Sequence, residues 1–329
     1  MKVAIVGAGI AGLSCALRLQ QDGCDVTVFD KGRGAGGRMS TRRIAMPNGE
    51  GPNGEGPNGE GPGGEVAFDH GAQYLTMRDP AFAEAMQGWE AAGVVARWPA
   101  AGEHAWVGTD GMSAIVKHLA AQTRVHWNYR VTDIRNTAEG WRVEAPVTQS
   151  LTEAYDAVVV ATPAEQAAPL LAPHDPAMAS EALACGSTPC WTAMLAFDRP
   201  LAIAHDVIRD AGIIDWAARN SAKPGRTGPE AWVVHATPAW STAHLEEPAD
   251  TVVDRLLAAL AMQCGADTPA PIVRAGHRWR YARATATDLG CLWNGSNRIG
   301  AAGDWLIAPR IESAWLSGRQ LAERIMATA

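Results

Sequence analysis

The chain has 329 residues, 47% of them hydrophobic and 19% charged, which is the composition of a globular protein large enough for two domains. Its formal net charge of -7 argues against nucleic acid or an anionic membrane surface as a partner. The six cysteines include no CxxC pair and no zinc-ligand spacing with histidine, so we predict reduced thiols in a cytoplasmic protein without a metal site. No apolar run in the sequence is long enough to span a membrane. The apolar N-terminus has three glycines at motif spacing and no clear cleavage site, so we do not expect a signal peptide.

The first thirty residues predict a strand, a helix and a second strand, at residues 2–6, 11–20 and 25–29. A GxGxxG motif forms the turn between the first strand and the helix. Its glycines permit a tight turn, the close approach of a pyrophosphate to the helix N-terminus, and close packing of the helix on the strand. Asp30 ends the second strand at the place where a ribose hydroxyl needs an acceptor. These features predict dinucleotide binding rather than an ordinary glycine-rich turn, and the motif residues are Gly7, Gly9, Ala11 and Gly12.

The middle of the chain predicts the rest of a discontinuous nucleotide-binding domain. Residues 47–64 repeat the pentapeptide PNGEG without an apolar side chain, and we interpret them as a solvated loop. A helix with a return strand at residues 82–95 is predicted to leave this domain, and a helix at 111–121 and a β-pair formed by residues 124–134 and 140–145 follow. The run YDAVVVATP is typical of a buried parallel strand that a proline ends.

The stretch from residue 168 to 292 predicts a second, mostly antiparallel layer of strands. These strands are predicted within CWTAMLAF, AWVVHAT and IVRAGHRWRYA, with a helix at residues 251–264. Beyond residue 297 a strand and then a helix follow, so we expect the chain to rejoin the first domain. The predicted fold class is α/β, with a Rossmann-type nucleotide-binding domain at residues 1–80, 105–168 and 293–329. A mostly antiparallel β substrate domain that also carries helices is predicted at residues 81–104 and 169–292.

Three further features indicate that the dinucleotide is FAD. The segment KGRGAGGRMST follows Asp30, and its Arg38 can neutralise a pyrophosphate oxygen beside a glycine pair; the alternative is a solvated basic turn. Ala161-Thr162 ends the buried strand, and Gly303-Asp304 ends the last strand. In these features the chain resembles the large flavoprotein group that includes the monoamine oxidases. The resemblance implies that the helix that begins near Ile311 points its N-terminus at the flavin ring, where N–H groups stabilise the negative charge of the reduced form.

Matching stretches along almost the whole chain resemble the renalase-type flavoproteins, especially the bacterial members. They include FDKGRGAGGRMS, DHGAQYLTMRD, ARNSAKPGR, WVVHATPAWS and HRWRYA, while the PNGEG repeat departs from the family pattern. The resemblance implies non-covalent FAD. It also implies an activity that oxidises misreduced dihydronicotinamide dinucleotides, with hydride at ring position 2 or 6, and passes the electrons to oxygen. Besides the GxGxxG residues and Asp30, the cofactor contacts that we expect are Lys31, Gly37, Arg38, Met39, Ala72, Val131, Ala161, Thr162, Gly303, Asp304, Arg310, Ile311, Glu312 and Ala314.

The candidate catalytic residues come from two parts of the chain. A dihydropyridine becomes aromatic when it loses hydride, so it needs alignment and stacking more than a strong base. Strand alternation puts His277, Trp279 and Tyr281 on one face, where Trp279 and Tyr281 are candidates to stack a substrate ring; the alternative is that they pack a core. His235 is a candidate acid or base, with a satisfied core histidine as the alternative. The resemblance places Gln73 and Tyr74 near the flavin.

Basic and polar residues of the substrate domain are candidates to bind substrate phosphates, and the alternative for the strand arginines is that they face solvent. These candidates are Asn220, Lys223, Arg226 and Arg278.

Two other functions stay open. One is a flavin amine oxidase or desaturase of the same fold. Such oxidases usually pair a substrate-domain lysine with two aromatic rings. In the predicted substrate domain, Lys223 is the only lysine and Tyr281 is the only tyrosine. The other is a protein that binds FAD without turnover, because cofactor motifs report binding and not rate. The expected partners are a small dinucleotide substrate and oxygen, and the sequence carries no signal for the oligomeric state.

Overall fold

The structure is a computed structural model that describes residues 1–46, 64–146, 152–265 and 268–328. The prediction for the PNGEG repeat lies outside the described residues, apart from Gly64. In chain order the strands are β1 (Lys2–Val6), β2 (Asp25–Phe29), β3 (Thr41–Ala45), β4 (Glu65–Asp69), β5 (Val95–Arg97), β6 (Trp106–Gly108), β7 (Arg124–His126), β8 (Asp133–Thr137), β9 (Gly140–Glu144), β10 (Ala157–Val160), β11 (Ser187–Phe197), β12 (Val207–Ala211), β13 (Ile214–Arg219), β14 (Glu230–Ala236), β15 (Val273–Ala284), β16 (Leu292–Asn294) and β17 (Ile299–Ala301). The helices are α1 (Ile10–Gln21), α2 (Pro80–Ala91), α3 (Ser113–Ala120), α4 (Ala164–Leu171), α5 (Pro176–Ala184), α6 (Pro238–Ala243), α7 (Ala249–Ala261) and α8 (Ile311–Ala327).

A six-stranded sheet in the order β16-β17-β10-β1-β2-β7 forms a Rossmann-like layer. All neighbours in it are parallel except β16 and β17. Val6 is in register with both Phe29 and Val160, so the carboxyl ends of β1, β2 and β10 meet at one edge. Helices α1, α3 and α8 contribute to the core on one face, and α4 and α5 to the core on the other. Strands from the beginning, middle and end of the chain therefore end at one edge of this sheet, the edge at which open α/β sheets bind ligands.

A five-stranded antiparallel sheet in the order β12-β13-β14-β11-β15 forms the second layer. Alternate residues of β11 face opposite sides of this sheet. Leu195 and Phe197 pack with helix α7, whereas Met194 and Ala196 pack with Phe68 of the β3–β4 hairpin. The predicted antiparallel layer is thus confirmed. Its hairpin-covered face is the one that carries the candidate site.

Two predictions about chain segments differ from the structure. Residues 124–134 do not form one strand: β7 joins the parallel sheet beside β2, and β8 pairs with β9. Asn128 between them has φ 57°, a left-handed conformation that ends an extended run. Residues 81–104 contact both parts of the chain instead of the substrate domain alone: the ring of Phe82 lies 5.4 Å from Trp315 of α8, whereas Ala101 O accepts a hydrogen bond from Arg209 Nη2 of β12. An apolar helix face packs on the complementary core that is nearest in the fold. The local sequence pattern does not show which core that is.

Within the described ranges, no helix is both long and apolar enough to cross a membrane. The same ranges contain no cluster of three His, Cys, Asp or Glu side chains that could hold a metal ion.

Candidate cofactor and substrate site

The GxGxxG turn leaves open space at the position that a pyrophosphate requires. Gly7 has φ 109°, and a Cβ added there would lie 2.5 Å from the carbonyl oxygen of Ala161. A Cβ on Gly12 would lie 2.0 Å from the carbonyl oxygen of Gly7, so the helix start packs directly on the turn. A Cβ on Gly9 would meet nothing within 4 Å. Gly7 and Gly12 therefore serve the fold, while Gly9 faces the space beside the N-terminus of α1.

Asp30 lies at the carboxyl end of β2, where the sequence predicts a ribose acceptor. Its two carboxylate oxygens accept hydrogen bonds from Ala8 N and Gly32 N, each at 2.7 Å. Because a carboxylate has about four lone-pair positions, these bonds orient it and leave capacity for a hydroxyl. The predicted contact Lys31 extends to Gln166, with Nζ donating to Oε1 at 2.9 Å. Val131 is half-buried in the core cluster on the same side of the sheet as Ala164.

The glycine pair and Arg38 come together with the C-terminal Gly303-Asp304. Arg38 donates to the Asp304 carboxylate through Nη1 at 2.8 Å and Nη2 at 2.5 Å. The two groups form a bidentate ion pair in which the Asp304 side chain is buried. Gly37 has φ 55°, Met39 is buried, and Ala72 N donates to the Arg38 carbonyl at 2.8 Å. The folded chain thus brings residues 37–39, 72 and 303–304 to one place, although they are far apart in sequence.

The N-terminus of α8 lies beside this pair, but two predicted contacts there use their groups within the protein. Glu312 Oε1 accepts from Arg78 N at 2.6 Å and from Asp79 N at 2.7 Å, so the carboxylate anchors a loop. Ala314 N donates to Arg310 O within the helix. Ile311 N and Ser313 N belong to the first turn, where backbone N–H groups lack partners inside the helix. Gly303 N is also occupied, by Ser317 Oγ at 3.0 Å.

Buried polar atoms without a hydrogen-bond partner mark both ends of this region. Thr162 Oγ1, at the end of β10, is one, and Arg310 Nε and Ser313 Oγ, at the start of α8, are two others. Buried polar groups are nearly always hydrogen-bonded, so these atoms leave positions that a bound ligand or water can fill. Together with the open space at Gly9 and the Asp30 carboxylate, these atoms fit a long, polar dinucleotide cofactor.

The second sheet presents a line of functional side chains that the strand register defines. Arg209, Trp216, His235, Thr192 and His277 are successive cross-strand partners from β12 to β15, and directly opposed residues share a face. We call these five residues the cross-sheet row. The guanidinium of Arg209 lies 4.1 Å from the Trp216 ring centre, which confirms that neighbours in the row touch.

Residues 70–74 cross the sheet along this row. The ring of His70 lies 4.8 Å from that of His277, Gln73 Nε2 lies 3.4 Å from His235 Nε2, and Tyr74 stacks on Trp216 with 5.2 Å between ring centres. The backbone of the 70–74 segment is also fixed, because His70 O lies 3.2 Å from His235 Nε2 and accepts from Trp279 Nε1 at 2.9 Å. The structure therefore assembles the predicted residues Gln73, Tyr74, His235 and Trp279 in one cluster.

Burial keeps the imidazoles of this cluster neutral. It lowers the pKa of His235 to about 4, and the cations of Arg283 and Lys223 act in the same direction. Burial also lowers the pKa of His70 to about 3, with further contributions from His277 and Arg42. His235 is thus a weak base at neutral pH, in agreement with the alternative of a buried core histidine.

Three of the four predicted phosphate-binding residues lie in the interior, which corrects that prediction. Asn220 Nδ2 donates to Ala67 O at 2.8 Å. Lys223 Nζ and Arg226 Nη2 both donate to the buried carboxylate of Asp69, at 3.2 and 2.5 Å. Lys223 also donates to Gln73 Oε1 at 3.2 Å, and its side chain is fully buried. These groups position the 70–74 segment and have no access to a phosphate.

The fourth, Arg278, lies on the face of β15 opposite Trp279. It pairs with Glu246 at 2.7 Å, and its guanidinium lies 5.5 Å from the ring centre of Trp191. The rings of His277 and Trp279 lie 4.3 Å apart, so the predicted alternation along β15 is confirmed. Because Arg278 is turned away from the row, its assignment to substrate phosphate is also corrected. Tyr281 is half-buried on the same strand.

Sequence reasoning missed four residues that organise the site: Asp69, His70, Trp216 and Arg283. The alternation His277, Trp279, Tyr281 continues to Arg283 two residues later, so that signal was available. Asp69 and His70 stand in the DHGAQY stretch, directly before the residues that the resemblance singled out. Trp216 carries no local signal, since only the strand register puts it beside His235. Its indole Nε1 is buried without a partner.

The sequence model of a family described as flavin containing amine oxidoreductase matches residues 98–326, more than half of the chain. The chain belongs to this family. A second model, of an NAD(P)-binding Rossmann-like domain, matches residues 5–88. The protein is accordingly a flavin-dependent oxidoreductase with a Rossmann-like domain and a second domain rich in β-sheet.

Solved structures agree with this assignment at the level of fold, and the curated relatives match only a short stretch of the chain. The 4,4'-diapophytoene desaturase (4,4'-diaponeurosporene-forming) of Staphylococcus aureus (strain Newman) is 48% identical over 40 residues, which are 12% of this chain and only 8% of that enzyme. A candidate protoporphyrinogen oxidase from Exiguobacterium sp. 255-15 has a TM-score of 0.72 at 13% identity, with 100% of this chain and 99% of that one covered. Cyclohexylamine oxidase from Brevibacterium oxydans IH-35A has a TM-score of 0.67 at 12% identity, with 99% and 98% covered.

Proposed function

We propose that the flavin of this protein is FAD, held without a covalent bond. The motif glycines, Asp30 and the unpartnered atoms of Thr162 and Ser313 support a dinucleotide of that length. Around Gly303-Asp304 the neighbouring chain is AAGDWLIAPR, which offers no Cys or His for attachment to the ring. The carboxylate of Asp304 and the guanidinium of Arg38 supply opposite charges at the phosphate end, and the α8 N-terminus supplies N–H groups at the ring end.

Acid precipitation tests this assignment. All of the yellow chromophore should pass into the supernatant, and its mass should be that of FAD, because only hydrogen bonds and ion pairs hold it. Because no residue is bonded to the flavin ring, acid should release the flavin from the protein at any stage of purification. Flavin that stays with the precipitated protein, or a supernatant that contains FMN, would contradict the proposal.

We further propose a renalase-like reaction, in which the substrate is a 2- or 6-dihydro isomer of NAD or NADP. When bound, the flavin accepts hydride from the substrate and passes the electrons to oxygen. The observation that carries the proposal is the aromatic stack of Tyr74 on Trp216 beside the buried imidazoles of His70 and His235. His70 and His235, with pKa values of about 3 and 4, are too weakly basic to deprotonate an ammonium group near neutral pH. A dihydropyridine makes no such demand, since it loses hydride without losing a proton.

The residues of the site act on this substrate by position. Tyr74 and Trp216 form a rigid aromatic wall, and Trp279 is fixed by its bond to His70 O. Gln73, held by Lys223 on one side and by Gly71 O on the other, fixes the segment on which a planar ring rests. Such preorganised stacking lowers the barrier by alignment, which is what hydride transfer between two rings requires. We propose a dinucleotide and oxygen as the partners and the cytoplasm as the location.

Anaerobic mixing of the purified yellow protein with candidate reductants tests the reaction. The 2- and 6-dihydro isomers of NAD should bleach the flavin absorbance, whereas ordinary 4-dihydro NADH should bleach it far more slowly. The amount of NAD+ released should equal the amount of flavin reduced. Bleaching by amines and not by the dihydro isomers would reject the proposal.

An amine oxidase or a desaturase is the second candidate. The buried Lys223, in contact with Gln73, favours it, because oxidases of this fold pair a substrate-domain lysine with aromatic rings. Burial lowers the pKa of Lys223 to about 8, while the carboxylate of Asp69 raises it. Protein that carries flavin but is bleached by neither class of reductant would indicate binding without turnover.

A further inference from the structure

One end of the site-bearing face of the second sheet is exposed at Thr188. The β3–β4 hairpin covers Met194 and Ala196, and the 70–74 segment covers the cross-sheet row at Thr192. The next residues of β11 on this face are Cys190, which is half-buried, and Thr188, which is exposed. The open end of the face is therefore the approach to the row.

An ion pair spans this open end. Arg283 of β15 donates through Nη2 to Asp215 Oδ2 at 2.6 Å. Asp215 belongs to β13, and both β11 and β14 lie between β13 and β15. With about 4.8 Å between neighbouring strands, the pair bridges roughly 14 Å of sheet.

The strand register places Arg283 directly opposite Thr188 of β11, and directly opposed residues share a face, so Arg283 belongs to the site face. Burial raises the pKa of Cys190 to about 11, Arg283 lowers it and Asp215 raises it. Arg283 also lowers the pKa of His235. These charge effects agree with the register, which puts Arg283 on the face of Cys190 and His235 and not on the outer face with Arg278.

Stability is a poor reason for this arrangement. The Arg283 side chain is 54% exposed, and exposed ion pairs contribute about 0–1 kcal/mol while they restrain two side chains. An exposed guanidinium at the mouth of a site has a second use, because its planar fork matches the oxygens of a phosphate. Asp215 then pairs with the Arg283 guanidinium until an anion that binds more tightly replaces it.

We propose that Arg283 binds the pyrophosphate of the dinucleotide substrate and that Asp215 is the resident competitor for the same guanidinium. This inference rests on the proposed function. On binding, the substrate exchanges one ion pair for another, and no covalent bond changes. Arg283 takes the role that the sequence had assigned to Arg226 and Arg278. The nicotinamide end then extends along the face toward Trp279 and Tyr74.

Binding of NAD+, the product of the proposed reaction, to the flavin-loaded protein tests the exchange by calorimetry. Arg283→Ala should raise the NAD+ dissociation constant roughly tenfold or more, the loss expected for a charge-assisted hydrogen bond. Asp215→Asn should lower the constant about threefold or more, because the competing carboxylate is gone. Nicotinamide riboside, which lacks the pyrophosphate, should bind both variants as it binds the parent.

A matched control lies on the outer face of the same strand, where Arg274 pairs with Asp254 at 2.7 Å. Arg274→Ala and Asp254→Asn should leave NAD+ binding within about twofold of the parent. Thermal melts check folding, and Arg283→Lys replaces Arg283→Ala if the alanine variant is unstable. Opposite shifts in the Arg283 and Asp215 variants support the exchange.

Shifts of the same sign, or none, in a parent that binds NAD+ overturn the inference and leave the proposed function standing. A parent that neither binds NAD+ nor is bleached by the dihydro isomers contradicts the proposed function itself. The parent measurement therefore separates the two failures.

Discussion

A single buried carboxylate, Asp69, organises the contacts beneath the candidate site. It accepts from Lys223, Arg226, Thr41 Oγ1 and Met112 N, all within 3.2 Å. Burial raises the pKa of this carboxyl, but the two cations and their hydrogen bonds bring it down to about 2. A buried charge is tolerated only when it is paired and hydrogen-bonded to this extent. The network fixes Gln73 through Lys223, so the interior charges position the segment that carries the site.

The neutral histidines of the site predict a pH dependence of stability. The folded-state pKa of His235, about 4, lies below its ordinary value of 6.5, so the unfolded chain binds more protons between these values. The free energy of unfolding should therefore fall as the pH drops from about 6.5 toward 4, by on the order of 3 kcal/mol from His235. Urea denaturation at a series of pH values measures this fall.

Replacement of His235 by Asn should flatten that slope, since the titrating group is removed. Replacement of the exposed His205 by Asn is the control and should leave the slope unchanged. An equal slope in the His235 variant and the parent would show that other groups dominate the acid sensitivity.

At the scale of elements, the contact between α1 and α8 holds the two ends of the cofactor region together. Gly318 of α8 packs on α1 so closely that an added Cβ would lie 2.1 Å from Ala11 O and 2.3 Å from Ser14 Oγ. Ser14 Oγ also donates to Trp315 O at 2.8 Å across this contact. The helix whose N-terminus faces the proposed flavin ring is therefore positioned by the helix whose N-terminus faces the proposed phosphates.

Gly318→Ala tests this contact. The added methyl group has no space against a backbone carbonyl, so the substitution should lower the free energy of unfolding by about 1–3 kcal/mol and reduce flavin retention. Urea denaturation and the ratio of flavin to protein absorbance measure the two effects.

The matched control is Gly88→Ala in α2, where a Cβ would meet nothing within 4 Å. That exposed helical glycine should gain roughly 0.5–1 kcal/mol on replacement, because alanine loses less backbone entropy. A Gly318 variant as stable as the parent would mean that α8 shifts without cost.

At the scale of the whole molecule, two sheets contribute to the site. The Rossmann-like sheet supplies an edge where β1, β2 and β10 end together, and the antiparallel sheet supplies a face. Residues 64–75 connect them, since β4 packs on the antiparallel sheet and the 70–74 segment runs from there to Arg38 through Ala72 N. A Rossmann-like domain combined with a second domain rich in β-sheet is the fold that the similar solved structures share.

The sequence by itself determined the elements whose signals are local. The opening strand, turn and helix, the strand YDAVVVATP and the alternation along β15 depend on neighbours two to four residues apart, and the structure confirms them. Only the tertiary structure decided which charges meet. Lys223 and Arg226 looked available for a phosphate until Asp69, more than 150 positions away, proved to hold both. Arg278 and Arg283 differ only in the face that each presents, and their partners Glu246 and Asp215 follow from the register of distant strands. Side-chain periodicity is a property of one strand, whereas the partner across a sheet depends on how separate strands align, and no short stretch of sequence encodes that alignment.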